Sequence, residues 1–261
     1  MSAIELHEVT AGYGTPGGIR EERHEVLHGV SLAAEAGTVT AILGPNGVGK
    51  TTLLNTALGW IRPWSGSVTL GGREIAGLSG SERGRLVSIV PQADHVPFEY
   101  TVFEYVLLGR APHIGRMSLP REEDLDAARR ALAQAGIAEM AGHGVLETSA
   151  GERQLVLLAR ALAQDTAVLL LDEPSAHLDL ANKRRLVRLL RTQADAGRAV
   201  VLTAHEPEFA AAVADRVALL SRGVVLAVGP PADVLTADHL SRVYGTPVTA
   251  HRAGDRLFFA W

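Results

Sequence analysis

The octapeptide "GPNGVGKT", Gly44 to Thr51, limits what this chain can fold into more than any other stretch. The apolar run "TVTAIL" at 38–43 leads into it, and "KTTLLNTAL" leaves it with helical character. Strand, glycine-rich turn and helix in that order predict a phosphate-binding loop, because backbone N–H groups at a helix N-terminus face an anion and glycines let the chain wrap it. Gly44, Pro45, Asn46, Gly47, Gly49 and Thr52 form the cradle, Lys50 is placed for the β and γ oxygens, and the Thr51 hydroxyl for Mg²⁺. The alternative, a turn that only joins strand to helix, leaves unexplained why Gly, Lys and Thr all fall in place and why a carboxylate suited to magnesium follows.

That carboxylate stands in "AVLLLDEP", 167–174. Asp172 ends a buried strand, where a lone acid is costly unless it meets a cation, so it is expected to hold Mg²⁺ through water. Glu173 is then placed to polarise an attacking water, help worth roughly 10²–10⁴-fold in rate. Taken alone, "DEP" reads equally as an acidic cap on the next helix. A second candidate anion site opens "ETSAGERQLVLLARAL", 147–162, where Leu155, Leu158, Ala159 and Leu162 make one helical stripe and Ser149 to Glu152 lie at its positive end.

Short apolar runs at 38–43, 86–90, 167–171, 199–204 and 216–220 alternate with helical patterns, which predicts a mostly parallel sheet covered on both faces. Alternation and glycine turns in the first seventy residues predict a small antiparallel sheet beside it. Residues 93–164 read as an inserted helical subdomain, so that 1–92 and 165–261 form the core of one domain, with an accessory strand expected in "DRLFFAW". Apolar residues make up 47% of the chain, yet no run suits a membrane span, and "MSAIELHEVT" has neither a basic leader nor an apolar signal core. There is no cysteine, so disulfides and thiolate metal sites are excluded. A net charge of −4 gives no overall attraction to nucleic acid or anionic lipid, and Arg184, Arg188 and Arg191 on one helical face read as a solvated face. "REEDLDAARR" reads as an exposed helix with its acids toward the N-terminus.

The phosphate loop, "TSAGERQ" and "LLLDEPSAHLD" in this order resemble the ATP-binding cassette ATPases over nearly the whole chain, which implies a P-loop NTPase core of RecA-like type. The resemblance assigns Tyr13 to stack on adenine, Gln92 to sense Mg²⁺ and water, His205 to contact the γ-phosphate, and Asp179 to close a loop that crosses between subunits. It also implies a homodimer or a paired cassette subunit joined head to tail, in which Ser149, Gly151 and Glu152 of one copy cap the nucleotide held by the other. Departures are the sequence Thr148, Ser149, Ala150, Gly151, Glu152 where Leu-Ser-Gly-Gly-Gln is usual, Glu206 where Asp is frequent, and a long loop at 14–25. If position 150 needs left-handed backbone, its alanine costs roughly 1–2 kcal/mol and weakens closure.

Within that family the segments "TVFEYVLLGRAPHIGR" and "DEPSAHLDLAN" and the tail resemble ATPase subunits of importers for iron-siderophores, haem and vitamin B12. Such a subunit sits peripherally on the cytoplasmic face of the cell membrane. It docks an integral-membrane permease through a groove that Val96, Phe98, Tyr100 and residues 113–117 are expected to line, and it meets a substrate-binding protein only indirectly. The same apolar residues could instead be core of the helical subdomain. Two other functions stay in play: a soluble cassette ATPase of DNA repair or translation, although the long coiled-coil insertion or second cassette usual there is missing, and an ATP-gated binding module without useful turnover.

Overall fold

The computed structural model describes residues 2–14, 24–94, 96–115, 117–176, 178–254 and 256–261. In chain order the first half carries β1 (Ser2–Tyr13), β2 (His24–Glu35), β3 (Val39–Leu43), α1 (Lys50–Ala57), β4 (Ser65–Leu70), β5 (Arg73–Glu74), α2 (Gly80–Leu86) and β6 (Val87–Val90). Three helices follow, α3 (Val102–Leu107), α4 (Glu122–Ala135) and α5 (Ala150–Ala163). The rest is β7 (Val168–Leu171), α6 (Leu180–Asp195), β8 (Ala199–Ala204), α7 (Pro207–Val213), β9 (Arg216–Ser221), β10 (Val224–Gly229), α8 (Pro231–Val234), α9 (Ala237–Tyr244), β11 (Thr249–Ala253) and β12 (Arg256–Ala260).

The central sheet runs β10-β9-β3-β8-β7-β6. Its inner strands pair in parallel, and β10 is added antiparallel at one edge. Every residue of β3, β7 and β8 is buried. Side chains on a strand alternate between faces, so continuous apolar runs of this kind serve two cores. Val39, Ala41, Leu169, Leu171, Val200 and Leu202 point into one, shared with the helices α5, α6 and α7. Ile42, Val168, Leu170 and Val201 point into the other, shared with α1 and the small sheet. That small sheet, β2-β1-β4-β5, is antiparallel throughout.

The helical block between β6 and β7 is set by its caps. Thr101 and Ser149 each accept from the backbone three residues on and bond back through Glu104 and Glu152, which are capping boxes at α3 and α5. The helix α4 exposes Glu122, Glu123, Arg129 and Arg130 as "REEDLDAARR" suggests, but its other face is packed. Ala127, Ala128, Ala131 and Leu132 are buried against its neighbours, and Asp124 is 4% exposed, paired to Arg110 Nε at 3.0 Å. The expected solvated face of α6 is there, with Arg184 and Arg188 exposed and Arg191 bonded to Asp215 at 2.7 Å. The C-terminal segment is a hairpin of β11 and β12 whose Phe259 packs toward α7.

Because β3, β6, β7 and β8 are parallel neighbours, their carboxyl ends lie side by side. Gly44, Gln92, Asp172 and His205 follow those ends within two residues, at the edge where open α/β sheets bind ligands.

Candidate functional site

The phosphate loop turns sharply out of β3 into α1. Gly44 passes so close to β9 that a Cβ there would lie 2.4 Å from the Leu220 carbonyl oxygen. Gly49 ends the loop at φ 109°, a conformation open to glycine, and α1 starts with no side chain capping it. The first backbone N–H groups of α1 are therefore left for a ligand, and the helix dipole favours an anion there. Lys50 is buried, and its ammonium donates to the Gly44 and Pro45 carbonyls at 2.9 and 3.1 Å.

Two carboxylates face this loop. Asp172, 4% exposed, accepts from Thr51 Oγ1 at 2.7 Å on one oxygen and from Thr203 Oγ1 at 2.6 Å on the other. A hydroxyl and a carboxylate held this close are hard oxygen donors, the set that suits Mg²⁺ when phosphates complete its shell. Glu173 is the centre of a second cluster. Lys50 Nζ lies 3.1 Å from Oε1, while Gln92 Nε2 and His205 Nδ1 lie 3.3 and 3.2 Å from Oε2. Its backbone N–H donates to Thr203 Oγ1 at 2.8 Å and its φ is 47°.

A cavity of about 580 Å³ opens over these groups and is lined by residues 46–52, Gln92 and Glu173. Its far end is walled by Tyr13, which is half exposed and bonded through its phenol to Thr52 Oγ1 at 3.3 Å, and by Val26, His28 and Arg222. Phosphate groups fit the loop end, and the free ring of Tyr13 offers a face for a base.

Ser149, Gly151, Glu152 and Asp179 are not among the cavity's lining residues. Glu152 accepts from the Ser149 hydroxyl at 2.7 Å and from its N–H at 2.8 Å, which holds the Glu152 carboxyl below the usual carboxylate range. Asp179 caps α6 by accepting from the Asn182 N–H at 2.8 Å. A Cβ on Gly151 would lie 3.2 Å from Asn182 Nδ2, so the starts of α5 and α6 adjoin. Ala150 is the first residue of α5 and is absent from the described non-glycine residues with positive φ, so the strain expected of an alanine there does not arise. Alanine is the best helix former, and the position asks for nothing else.

Of the groove residues, Phe98 and Met117 are exposed, whereas Val96 is buried in the core and belongs to the packing reading. Tyr100 is half-buried, edge-on to Phe98, and His113 is tied to the Gln164 carbonyl at 2.8 Å. His95, Arg116, His177 and positions 15–23 of the long loop lie outside the described residues.

The sequence reading missed Thr203, Tyr244 and Arg222. Thr203 is a hydroxyl inside an otherwise apolar strand, and a buried hydroxyl needs a partner, which is a usable signal. Tyr244 donates from α9 to the His205 carbonyl at 2.9 Å, and nothing in the spacing of the two points to it. Glu206, beside His205, is held by Lys183 of α6 at 2.6 Å, which gives that departure a structural role.

A model of the ABC transporter family matches residues 27–176. The chain belongs to that family. The matched span covers the phosphate loop, Gln92, the start of α5 and the Asp172–Glu173 pair, while Tyr13, Asp179 and His205 lie outside it. The chain is 44% identical over 223 residues to the hemin import ATP-binding protein HmuV of Nocardia farcinica, a match spanning 85% of this chain and 77% of that one. It is 39% identical over 224 residues to the cobalamin import ATP-binding protein BtuD of Halobacterium salinarum, spanning 85% of this chain and 56% of that one. Among solved structures it superposes on an inward-facing metal-chelate-type ABC transporter with a TM-score of 0.84 and 29% identity, over 99% of this chain and 96% of that one. ATP binding and hydrolysis are the chemistry of the ABC ATPase.

Proposed function

We propose that this ATPase powers import of a metal chelate of the haem or cobalamin kind, as one of two cassettes bound to a membrane permease at the cytoplasmic face. The observation that carries the reading is the likeness to hemin and metal-chelate importers in a chain whose phosphate loop and carboxylate pair stand ready together. Among the described residues no helix is long and apolar enough to cross a membrane, so the cargo's path belongs to a partner.

In this reading Tyr13 stacks on the adenine, residues 44–52 hold the phosphates, and Thr51 and Asp172 hold Mg²⁺. The metal, when bound, neutralises phosphate charge. Lys50 does two jobs in turn. It is paired with Glu173, which keeps both charges satisfied in a buried place. Phosphates compete for the ammonium, and the released Glu173 carboxylate, still beside His205 and Gln92, is free to accept a proton from water. Ser149, Gly151, Glu152 and Asp179 act from the second copy of the dimer, which explains why they lie apart from the cavity in one chain.

The test is reconstitution with the permease and measurement of phosphate release and haem or cobalamin uptake together. Wild type should release phosphate at least a hundredfold faster than Glu173→Gln, in the range of lost base catalysis, and uptake should follow release. Release no faster than the variant's would reject the motor reading, and release without uptake of any chelate would reject the cargo class.

A further inference from the structure

Thr203 sits in the middle of the catalytic strands yet has no part in the reaction as described so far. It is fully buried in β8, between β3 and β7, and its Cα is paired in register with Ile42, two residues before Gly44. We propose that Thr203 is the positioning residue that sets Asp172 and Glu173 in one geometry for ATP hydrolysis.

A threonine hydroxyl can serve two partners at once. It has one proton and two lone pairs. A lone pair is taken by the Glu173 N–H at 2.8 Å, and an N–H can only donate, so the proton is free to go to Asp172 Oδ1 at 2.6 Å. The orientation is therefore fixed from both sides. Thr40, on the neighbouring β3, is equally buried but its hydroxyl has no partner among the described residues, so burial alone does not bring a threonine such bonds.

Two consequences follow. With Oδ1 occupied by Thr203, Asp172 keeps Oδ2 turned toward Thr51, which fixes the oxygen offered at the phosphate side. On the other bond, the N–H of Glu173 is held while that residue carries φ 47°, an unfavourable backbone for a side chain this long. The bond to Thr203 holds the N–H side of that turn while the Ala176 N–H holds the Glu173 carbonyl at 3.0 Å, and the turn aims the Glu173 side chain back at Lys50, Gln92 and His205. A rigid, fully buried strand thus supports both carboxylates through a single oxygen.

The variants are Thr203→Val, which keeps the shape and loses the hydroxyl, Thr203→Ser, which keeps the hydroxyl and loses the methyl, and Thr203→Ala. Steady-state ATPase is measured on the full chain in its transporter complex, and Mn²⁺ binding in the presence of ADP is measured by EPR on the full chain alone. For Val, kcat should fall roughly tenfold to a hundredfold, the range for hydrogen bonds to ionised groups, with KM for ATP changed by no more than about threefold. Mn²⁺ affinity should weaken while metal-free nucleotide binding stays as in wild type. Ser should recover most of kcat and of the Mn²⁺ affinity. If Val does not give a folded protein by thermal melting, Ala carries the same expectations. A Val or Ala enzyme within twofold of wild-type kcat, or a Ser enzyme as impaired as Val, would overturn the proposal, the second because it would place the effect in methyl packing.

Discussion

Glu173 is held in a left-handed backbone at the end of a strand, its side chain shared among a lysine, a glutamine and a histidine. Strain of this kind persists only where neighbours over-determine it, and the neighbours come from the start of α1, the loops after β6 and β8, strand β8 and helix α9. Tyr244 is the most remote of them, because it touches the backbone of His205 from α9 rather than Glu173 itself. Burial, with Glu208 and Glu173 nearby, pushes its phenol up, so it stays a donor at every working pH. Tyr244→Phe should lower the ATPase kcat about fivefold, the worth of roughly 1 kcal/mol for one neutral hydrogen bond. An unchanged kcat would show that His205 is held without it. At this scale the sequence displayed local chemistry well. Gly44 to Thr52 are contiguous, so the roles proposed for them follow from spacing, and the structure sets Lys50 beside the Gly44 carbonyl and Thr51 beside Asp172. What joins distant segments, Tyr244 above all, has no spacing to read.

At the level of elements, the parallel strands were legible because burial on both faces forces unbroken apolar runs, and the caps were legible at Ser149 because Glu152 stands three residues on. Charge made α4 misleading. Its first turn is acidic, which suits an exposed helix equally well, and only the packed structure shows Asp124 turned inward to Arg110. The Arg121 N–H first, then Arg110, hold the Asp124 carboxyl below its ordinary value. A carboxylate lowered in the folded state adds stability that is complete above the unfolded value and is lost as pH falls through the folded one. Asp124→Ala leaves the largely buried Arg110 without a counter-charge, held only by the Ala163 carbonyl at 3.0 Å, and should cost about 3 kcal/mol in urea unfolding at neutral pH. The gap to wild type should narrow when unfolding is repeated near pH 3. An equal gap at both pH values would assign the loss to packing instead of the ion pair.

Across the whole molecule, the two anion-facing helix starts do not meet. The start of α1 opens on the cavity, and the start of α5 is closed by its own Glu152. In the proposed function a chain with half a site on each of two surfaces is completed by a second copy, which the sequence suggests only through resemblance, since no residue pattern states that a site is shared. Glu173→Gln should accumulate as a dimer in size-exclusion chromatography with ATP and Mg²⁺, and stay monomeric with ADP. Adding Ser149→Ala to that variant should return it to the monomer, and a double variant that still dimerises with ATP would place the capping contact elsewhere.

The helix α5 carries one more attachment. Near its C-terminal end, Arg160 pairs with Asp94, just past Gln92, at 3.0 Å, while its guanidinium lies 4.8 Å over the Tyr105 ring. Its 14 residues make a rod of about 21 Å. In the proposed transporter, a tug on the Ser149 tip would be delivered along a stiff shaft to the loop beside exposed Phe98, so that shaft rather than soft loops would time the stroke felt by a permease.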